Sequence, residues 1–348
     1  MIEWLAFQAD RVRSIRPVPK LTLGKKMTIP VLYYVRANSR LYDLIRAQAP
    51  AEYEMMFLES DDPAERAEKL ERAEVILVGG GRLDEASIAA APNLRLVLHQ
   101  GVGYHDTVAI KDLRDRQIPL AITPGGTSEG VSEHALMMML ATGRRLPALD
   151  RSVREGHWWS STYRAESRGL KGATVGIIGL GRIGKQVARR LAPFEVAEVL
   201  YHDLEQIDPA VERELGVRRV SRDELLSACD FVTLHVPLTD ATHHMIDATA
   251  LARMKDGAIL INCARGPVVS EPDLLDALRS GKLGGAGLDV FEVEPIGGPS
   301  PFGAFHNVVL TPHNAPGTRD VMIGKFRDMF DNADRFYRGE KLVEKVDL

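Results

Sequence analysis

The chain has 348 residues, 45% hydrophobic and 26% charged, the balance of a globular protein long enough for two domains. Its net charge of −4 excludes a global basic field for nucleic acid or anionic membrane, and no apolar run approaches the roughly 20 residues a membrane-spanning helix needs. The two cysteines, Cys229 and Cys263, form neither a metal spacing nor a disulfide framework; beside apolar runs, they read as buried thiols in a reducing, cytoplasmic setting.

Residues 1–26 carry six Lys/Arg against two acids, with no continuous apolar segment and no small-residue cleavage site. They read as a loosely attached basic arm and a poor secretory signal, with Met27 a candidate true start. From residue 29, short apolar runs ("IPVLYYV", "AEVILVGG", "LRLVLHQGVG") alternate with helical patterns ("SRLYDLIRAQAP", "DEASIAAAPN"). That alternation predicts an α/β fold with a mainly parallel sheet covered by helices on both faces. A long helix is predicted from about Ser128 to Arg145, its Met and Leu residues forming a packing face. The following "EGHWWSSTYRAESRGLKG" has no clear period and reads as connecting loop and candidate subunit contact surface. After Gly172 come strands ("ATVGII", "AEVLYHD", "ACDFVTLHVP", "GAILINCARG", "LGGAGLDVF", "HNVVLTPH") and intervening helices ("SRDELLSA", "SEPDLLDALRSGK"). This second stretch predicts a doubly wound nucleotide-binding unit. No fixed-period repeat or low-complexity tract is present.

The glycine fingerprint Gly179-Leu180-Gly181-Arg182-Ile183-Gly184 follows the strand "TVGII" directly and opens the helix "RIGKQVARRL". That context gives the motif its meaning. Gly179 permits a tight turn, Gly181 lets backbone amides approach a diphosphate, and Gly184 lets helix and strand pack closely. The diphosphate would rest on the positive end of the helix dipole. Asp203 ends the next strand, 19 residues after Gly184. Its carboxylate can accept from ribose hydroxyls and repels a 2′-phosphate, and the following Leu204 and Glu205 supply no cation. NAD is therefore favoured over NADP.

Arg265 lies at the carboxyl end of a strand, the edge that faces the ligand crevice in open α/β sheets, and an arginine can grip a carboxylate with two hydrogen bonds. Asp289 ends another strand, with Glu292 and Glu294 in the loop before Pro295. His313 ends the last strand, 19 residues beyond Glu294. Three strand ends thus bring Arg, acid and His to one sheet edge. A carboxylate beside an imidazole stabilises its protonated form and keeps a general acid available near neutral pH. Spacing leaves open which acid touches His313.

"GIIGLGRIG", "YHD", "LHVPLTDATHHMI", "INCARGPVV", "GLDVFEVEP" and "TPH", in this order, resemble the D-isomer-specific 2-hydroxyacid dehydrogenases. "LVLHQGVGYHDTV" and "VSEHALMMMLATGRR" extend the resemblance, which covers about residues 29–340. It implies two doubly wound domains, an NAD-binding Rossmann domain (127–315) inserted in a discontinuous flavodoxin-like substrate domain (27–126 plus 316–348). It implies hydride transfer between NAD(H) and a small 2-keto or D-2-hydroxy acid. Arg265 would bind the substrate's carboxylate and keto oxygen, His313 would protonate the keto oxygen, and Glu294 would orient His313. Asp289 would accept from the nicotinamide carboxamide. Arg182 and Ile183 would lie against the diphosphate, Val236 and Thr242 on the adenosine side, and Cys263 and Ala264 on the nicotinamide side. Amides around Gly101, Val102 and Gly103 would hold the substrate carboxylate. Members usually pair as homodimers through the NAD domain. Asn314, Pro316 and Pro267 depart from the usual pattern beside the nicotinamide and substrate. Glycines at 79–81 with Arg82 argue against 3-phosphoglycerate, the alternative substrate, and Glu294 argues against formate. The rival reading is an NAD-sensing, corepressor-like binding protein with the same residues, although nothing basic or repeat-like favours a DNA or peptide partner.

Overall fold

A computed structural model describes residues 28–348, so the basic arm lies outside the described residues. The described chain divides into two compact units, one of residues 28–123 with Lys325–Leu348 and the other Pro124–Gly324.

The first unit contains, in order, β1 (Ile29–Tyr33), α1 (Ser39–Arg46), β2 (Tyr53–Phe57), α2 (Pro63–Arg72), β3 (Val75–Val78), α3 (Glu85–Ala89), β4 (Leu96–His99), α4 (Ile110–Asp115) and β5 (Leu120–Ile122). Its strands form one parallel sheet in the order β2-β1-β3-β4-β5, the flavodoxin-like arrangement. Every residue of β3 and β4 is buried, as expected where helices cover both faces of a parallel sheet. The helices start where short polar residues can cap them: Asn38, Asp62 and Asp84 accept from the amides of Leu41, Ala64 and Ser87.

The second unit contains α5 (Thr127–Gly143), α6 (Leu146–Arg154), β6 (Thr174–Ile178), α7 (Arg182–Leu191), β7 (Glu198–His202), α8 (Pro209–Leu215), β8 (Val217–Arg219), α9 (Arg222–Ala228), β9 (Phe231–Leu234), α10 (Ala248–Arg253), β10 (Ala258–Asn262), α11 (Glu271–Arg279), β11 (Leu283–Leu288) and β12 (Val308–Leu310). A last helix, α12 (Arg319–Arg338), begins in this unit and continues into the first. The seven strands are parallel in the order β12-β11-β10-β9-β6-β7-β8. The winding direction reverses between β9 and β7, around β6, which makes the carboxyl end of β6 the switch point where such sheets bind ligands. Residues alternate between two buried faces: Ala258 and Leu260 of β10 join one apolar cluster, Ile259 and Ile261 the other.

The Met-rich helix α5 is a packing element, with Met138 and Met139 fully buried. It lies so close to β11 that a Cβ on Gly287 would stand 3.0 Å from Met138, and one on Gly285 2.7 Å from Thr142. The glycines of "LGGAGL" make that approach possible.

The helix predicted through Arg145 stops at Gly143. Arg145 turns into the left-handed region (φ 56°), and α6 follows with a proline in its first turn. The periodicity reading also left β2, α2, α4, β5, α6, α8, β8, α10 and α12 unassigned; β5 and β8 are three-residue strands, too short to show a period.

Candidate active site

The glycine turn joins β6 to α7 at the switch point. Gly179 has φ +93°, and a Cβ there would lie 2.7 Å from the carbonyl of His235, so only glycine fits. A Cβ on Gly184 would collide with the carbonyl of Gly179, whereas nothing lies within 4 Å of one on Gly181. The two outer glycines thus close the turn, and Gly181 leaves open space in front of α7. That helix has no side-chain N-cap, which leaves its dipole end for an anion. Arg182 is exposed and Ile183 half-buried in its first turn. Asp203, just past β7, accepts the amide of Leu180 at 2.7 Å, which ties the carboxylate to the turn. Arg219, which sequence reasoning missed, donates to the carbonyls of Asp203 and Leu204 at 2.9 Å each. It comes from β8, 16 residues downstream, and no local motif marks it. Val236 is half-buried, and the Thr242 hydroxyl donates to Pro237 O at 2.7 Å, tying down the loop after β9. The open Gly181, the uncapped helix and the anchored Asp203 suit a dinucleotide.

Arg265 stands three residues beyond β10. The Asn262 side chain shapes this loop, donating to Arg265 O (2.9 Å) and accepting from Ala264 N (3.0 Å). Cys263 and Ala264 are buried, and burial pushes the Cys263 thiol up, away from the reactive thiolate. Gly266 packs onto the next strand's loop so tightly that a Cβ would overlap the carbonyl of Phe291.

His313 lies three residues past the end of β12, in a loop, with φ +50°. Its Nδ1 pairs with Glu294 Oε2 at 2.6 Å, and its side chain is 43% exposed, so the ring remains open to a ligand. The acid left open by spacing is therefore Glu294. Its other oxygen accepts the amide of Phe291 at 2.8 Å. Burial works to raise the Glu294 carboxyl, but the His313 hydrogen bond and charge, the Phe291 amide and the Arg265 charge together hold it below the usual range. Glu292 is used differently. It accepts the amide of Glu271 (3.0 Å) and pairs with His244 (3.0 Å), pinning the loop to α11.

Asp289 is fully buried and holds the loop that carries His313. Its carboxylate accepts from the Thr311 hydroxyl (2.5 Å) and from the amides of Asn314 and Ala315 (2.9 Å each). His134 on α5 donates to Thr311 (2.9 Å), completing a chain from helix to acid. Burial lowers the His134 imidazole's proton affinity and outweighs the pull of Asp289 in the other direction. Neither His134 nor Thr311 was expected. They lie 155 and 22 residues from Asp289, so no spacing rule connects them.

In the first unit, Gly101, Val102 and Gly103 follow β4 at its carboxyl end and are half-buried. Gly101 N donates to His99 Nδ1 (3.0 Å), and Thr107 bridges His99 Nε2 (2.9 Å) and Gly103 O (2.9 Å). His99 and Thr107 thus brace this loop, and the Gly101 amide is already engaged within it.

Residues 136–315 match the family model described as "D-isomer specific 2-hydroxyacid dehydrogenase, NAD binding domain". The chain belongs to the D-isomer specific 2-hydroxyacid dehydrogenases. These are NAD-dependent enzymes, and relatives of this chain carry names from several branches. A glyoxylate reductase of Korarchaeum cryptofilum is 41% identical over 260 residues, 74% of this chain and 77% of that protein. A D-3-phosphoglycerate dehydrogenase of Archaeoglobus fulgidus is 39% identical over 246 residues, 70% of this chain; the match spans only 45% of that longer protein. Among solved structures, a glyoxylate reductase from Paecilomyes thermophila superposes with a TM-score of 0.77 at 26% identity, covering 92% of this chain and 98% of that one.

Proposed function

We propose that this dehydrogenase interconverts a small 2-keto acid and its D-2-hydroxy acid, with His313 as the acid and base, Glu294 as its partner and Arg265 as the substrate's cation. The observation that carries the reading is the 2.6 Å pair of a partly exposed His313 with Glu294, at the sheet edge that also presents the glycine turn. With Nδ1 committed to Glu294, Nε2 is the nitrogen left to exchange a proton with the substrate oxygen. Glu294 stabilises the protonated ring until the proton is given up. Bound NADH supplies the hydride. Arg265 pairs with the substrate carboxylate and draws charge from the keto oxygen, so that proton and hydride arrive at a polarised carbonyl. Of the loop Gly101, Val102 and Gly103, the Gly101 amide braces the loop through His99, and the amides that follow it are assigned to the acid's carboxylate.

Gly179, Gly181, Arg182, Ile183 and Gly184 would hold the diphosphate and Asp203 the adenosine ribose. Val236 and Thr242 border the adenosine, and Cys263 and Ala264 the nicotinamide. The tethered Asp203 carboxylate supports NAD over NADP. Asp289 fixes the His313 loop and is assigned to the nicotinamide carboxamide as well. Phosphoglycerate is disfavoured because Arg82 pairs with Glu85 at 2.9 Å. Pairing with a second copy belongs to the same reading, supported by the exposed Leu146, Val153 and Trp158 on and just after α6.

His313→Gln tests the assignment. Turnover should fall by about 1,000-fold or more while NADH still binds. Near-normal turnover with retained binding would remove His313 from the chemistry.

A further inference from the structure

Gly130, His134 and Met138 stand one turn apart on one face of α5. A Cβ on Gly130 would lie 3.2 Å from Pro316 Cα, beyond the loop that carries His313. His134 Nε2 lies 2.9 Å from the Thr311 hydroxyl, where that loop begins. Met138 is fully buried, and a Cβ on Gly287 of β11 would stand 3.0 Å from it. The helix is thus anchored on the sheet and reaches both ends of the loop from Thr311 to Pro316. Between those ends Pro312, His313 and Asn314 are exposed, so little packing holds the ring in place.

Hydrogen bonds hold it instead. His313 N donates to Asp289 O at 2.7 Å, which closes the left-handed turn at His313. The Asp289 carboxylate collects the Thr311 hydroxyl and the amides of Asn314 and Ala315. A carboxylate can only accept, so the Thr311 hydrogen is spent on it. The Thr311 oxygen is then an acceptor toward α5, and His134 Nε2 carries the hydrogen between them. The His134 side chain is 13% exposed, and its Nε2 lies 3.5 Å from Asp289 Oδ1. A donor entering the chain at Thr311 fixes the hydroxyl's rotamer and polarises it toward Asp289.

We propose that His134 is a positioning residue: as an Nε2–H donor it locks Thr311 onto Asp289 and so holds the loop that presents the His313 ring. Glu294 fixes the ring through Nδ1, and His134 fixes the backbone that carries it. Without the donor the exposed loop samples other conformations, and fewer molecules present the ring in the productive geometry. This rests on the reading of His313 as the acid and base.

The test compares His134→Leu, which cannot donate, with His134→Gln, whose amide retains a donor. His134→Leu should lower kcat about tenfold and leave the KM values for NADH and the keto acid within about 3-fold. His134→Gln should recover most of that loss. Adding His134→Leu to Thr311→Val should cost nothing beyond Thr311→Val alone, because both break one chain. Melting curves check that each variant is folded; if His134→Leu is not, Thr311→Val and the ring spectra carry the test. Those spectra need no turnover. In protein labelled with 15N-histidine, above neutral pH, the His134 ring should carry its hydrogen on Nε2. The His313 ring signal, assigned by its loss in His313→Gln, should move in His134→Leu and stay near its wild-type position in His134→Gln. Unchanged kcat in His134→Leu, a rise in KM alone, a Gln variant as slow as the Leu variant, an additive double variant, or a His134 ring with its hydrogen on Nδ1 would overturn the proposal. Silence of wild type on every 2-keto acid would contradict the reductase reading instead, and the two ring signals would still decide for or against His134.

Discussion

His313 answers to one carboxylate among three nearby candidates. Glu294 spends one oxygen on the Phe291 amide and the other on the ring, Glu292 is tied to His244 and Glu271, and Asp289 to Thr311 and two amides. Glu294 is held below the usual carboxylate range. Its folded-state interactions therefore add stability that is fully present above that range and lost as pH falls through the lower folded value. In the proposed reaction the same charge would favour the imidazolium over the neutral ring. For Glu294→Gln, the alkaline fall in reductive kcat/KM should move to lower pH by about one unit, since an uncharged amide no longer stabilises the imidazolium. A pH profile that keeps its position would show that Glu294 does not set the proton affinity of the acid. At this scale the positions of Arg265 and His313 just beyond strand ends were readable, whereas spacing left open which acid pairs with His313 and only the family resemblance pointed to Glu294. The sequence was silent on His134, Thr311, His99 and Arg219, whose roles depend on contacts between distant segments and on backbone groups that leave no side-chain pattern.

The element that most tightly couples sequence to site is the β6–turn–α7 unit. Its glycines are required by contacts: His235 O blocks any side chain at Gly179, and Gly179 O blocks one at Gly184. Gly184→Ala should push the start of α7 away from β6, lowering stability by about 1–3 kcal/mol. It should also weaken NADH binding by about tenfold or more, because the amides at the helix start move with it. Thermal melts and NADH fluorescence titration measure the two effects; unchanged NADH affinity would separate α7 from the cofactor. This element was legible because an apolar strand, a glycine turn and an amphipathic helix are local signals. The break between α5 and α6 was not, because it rests on a left-handed arginine, a residue type that does not advertise that conformation. The three-residue strands β5 and β8 depend on neighbouring strands for their existence and carry too few residues to show alternation.

For the whole molecule, alternation of apolar runs with helical stretches was enough to foresee two parallel sheets, because strands covered on both faces must be apolar nearly throughout. Substrate choice was less legible, since strand and glycine-turn patterns say little about the side chains of the loops beyond them. Among the described residues no helix is long and apolar enough to cross a membrane, and the strand ends of the sheets carry the groups proposed to act. The central claim is that these strand ends support reduction of a 2-keto acid by NADH. The most direct measurement is loss of NADH absorbance when the purified chain meets a panel of 2-keto acids from glyoxylate to 2-ketoglutarate, with the product resolved by chirality. The account predicts rapid oxidation of NADH with at least one acid and a D-hydroxy product wherever the product is chiral. Tight NADH binding without oxidation on any acid, or an L product, would contradict it.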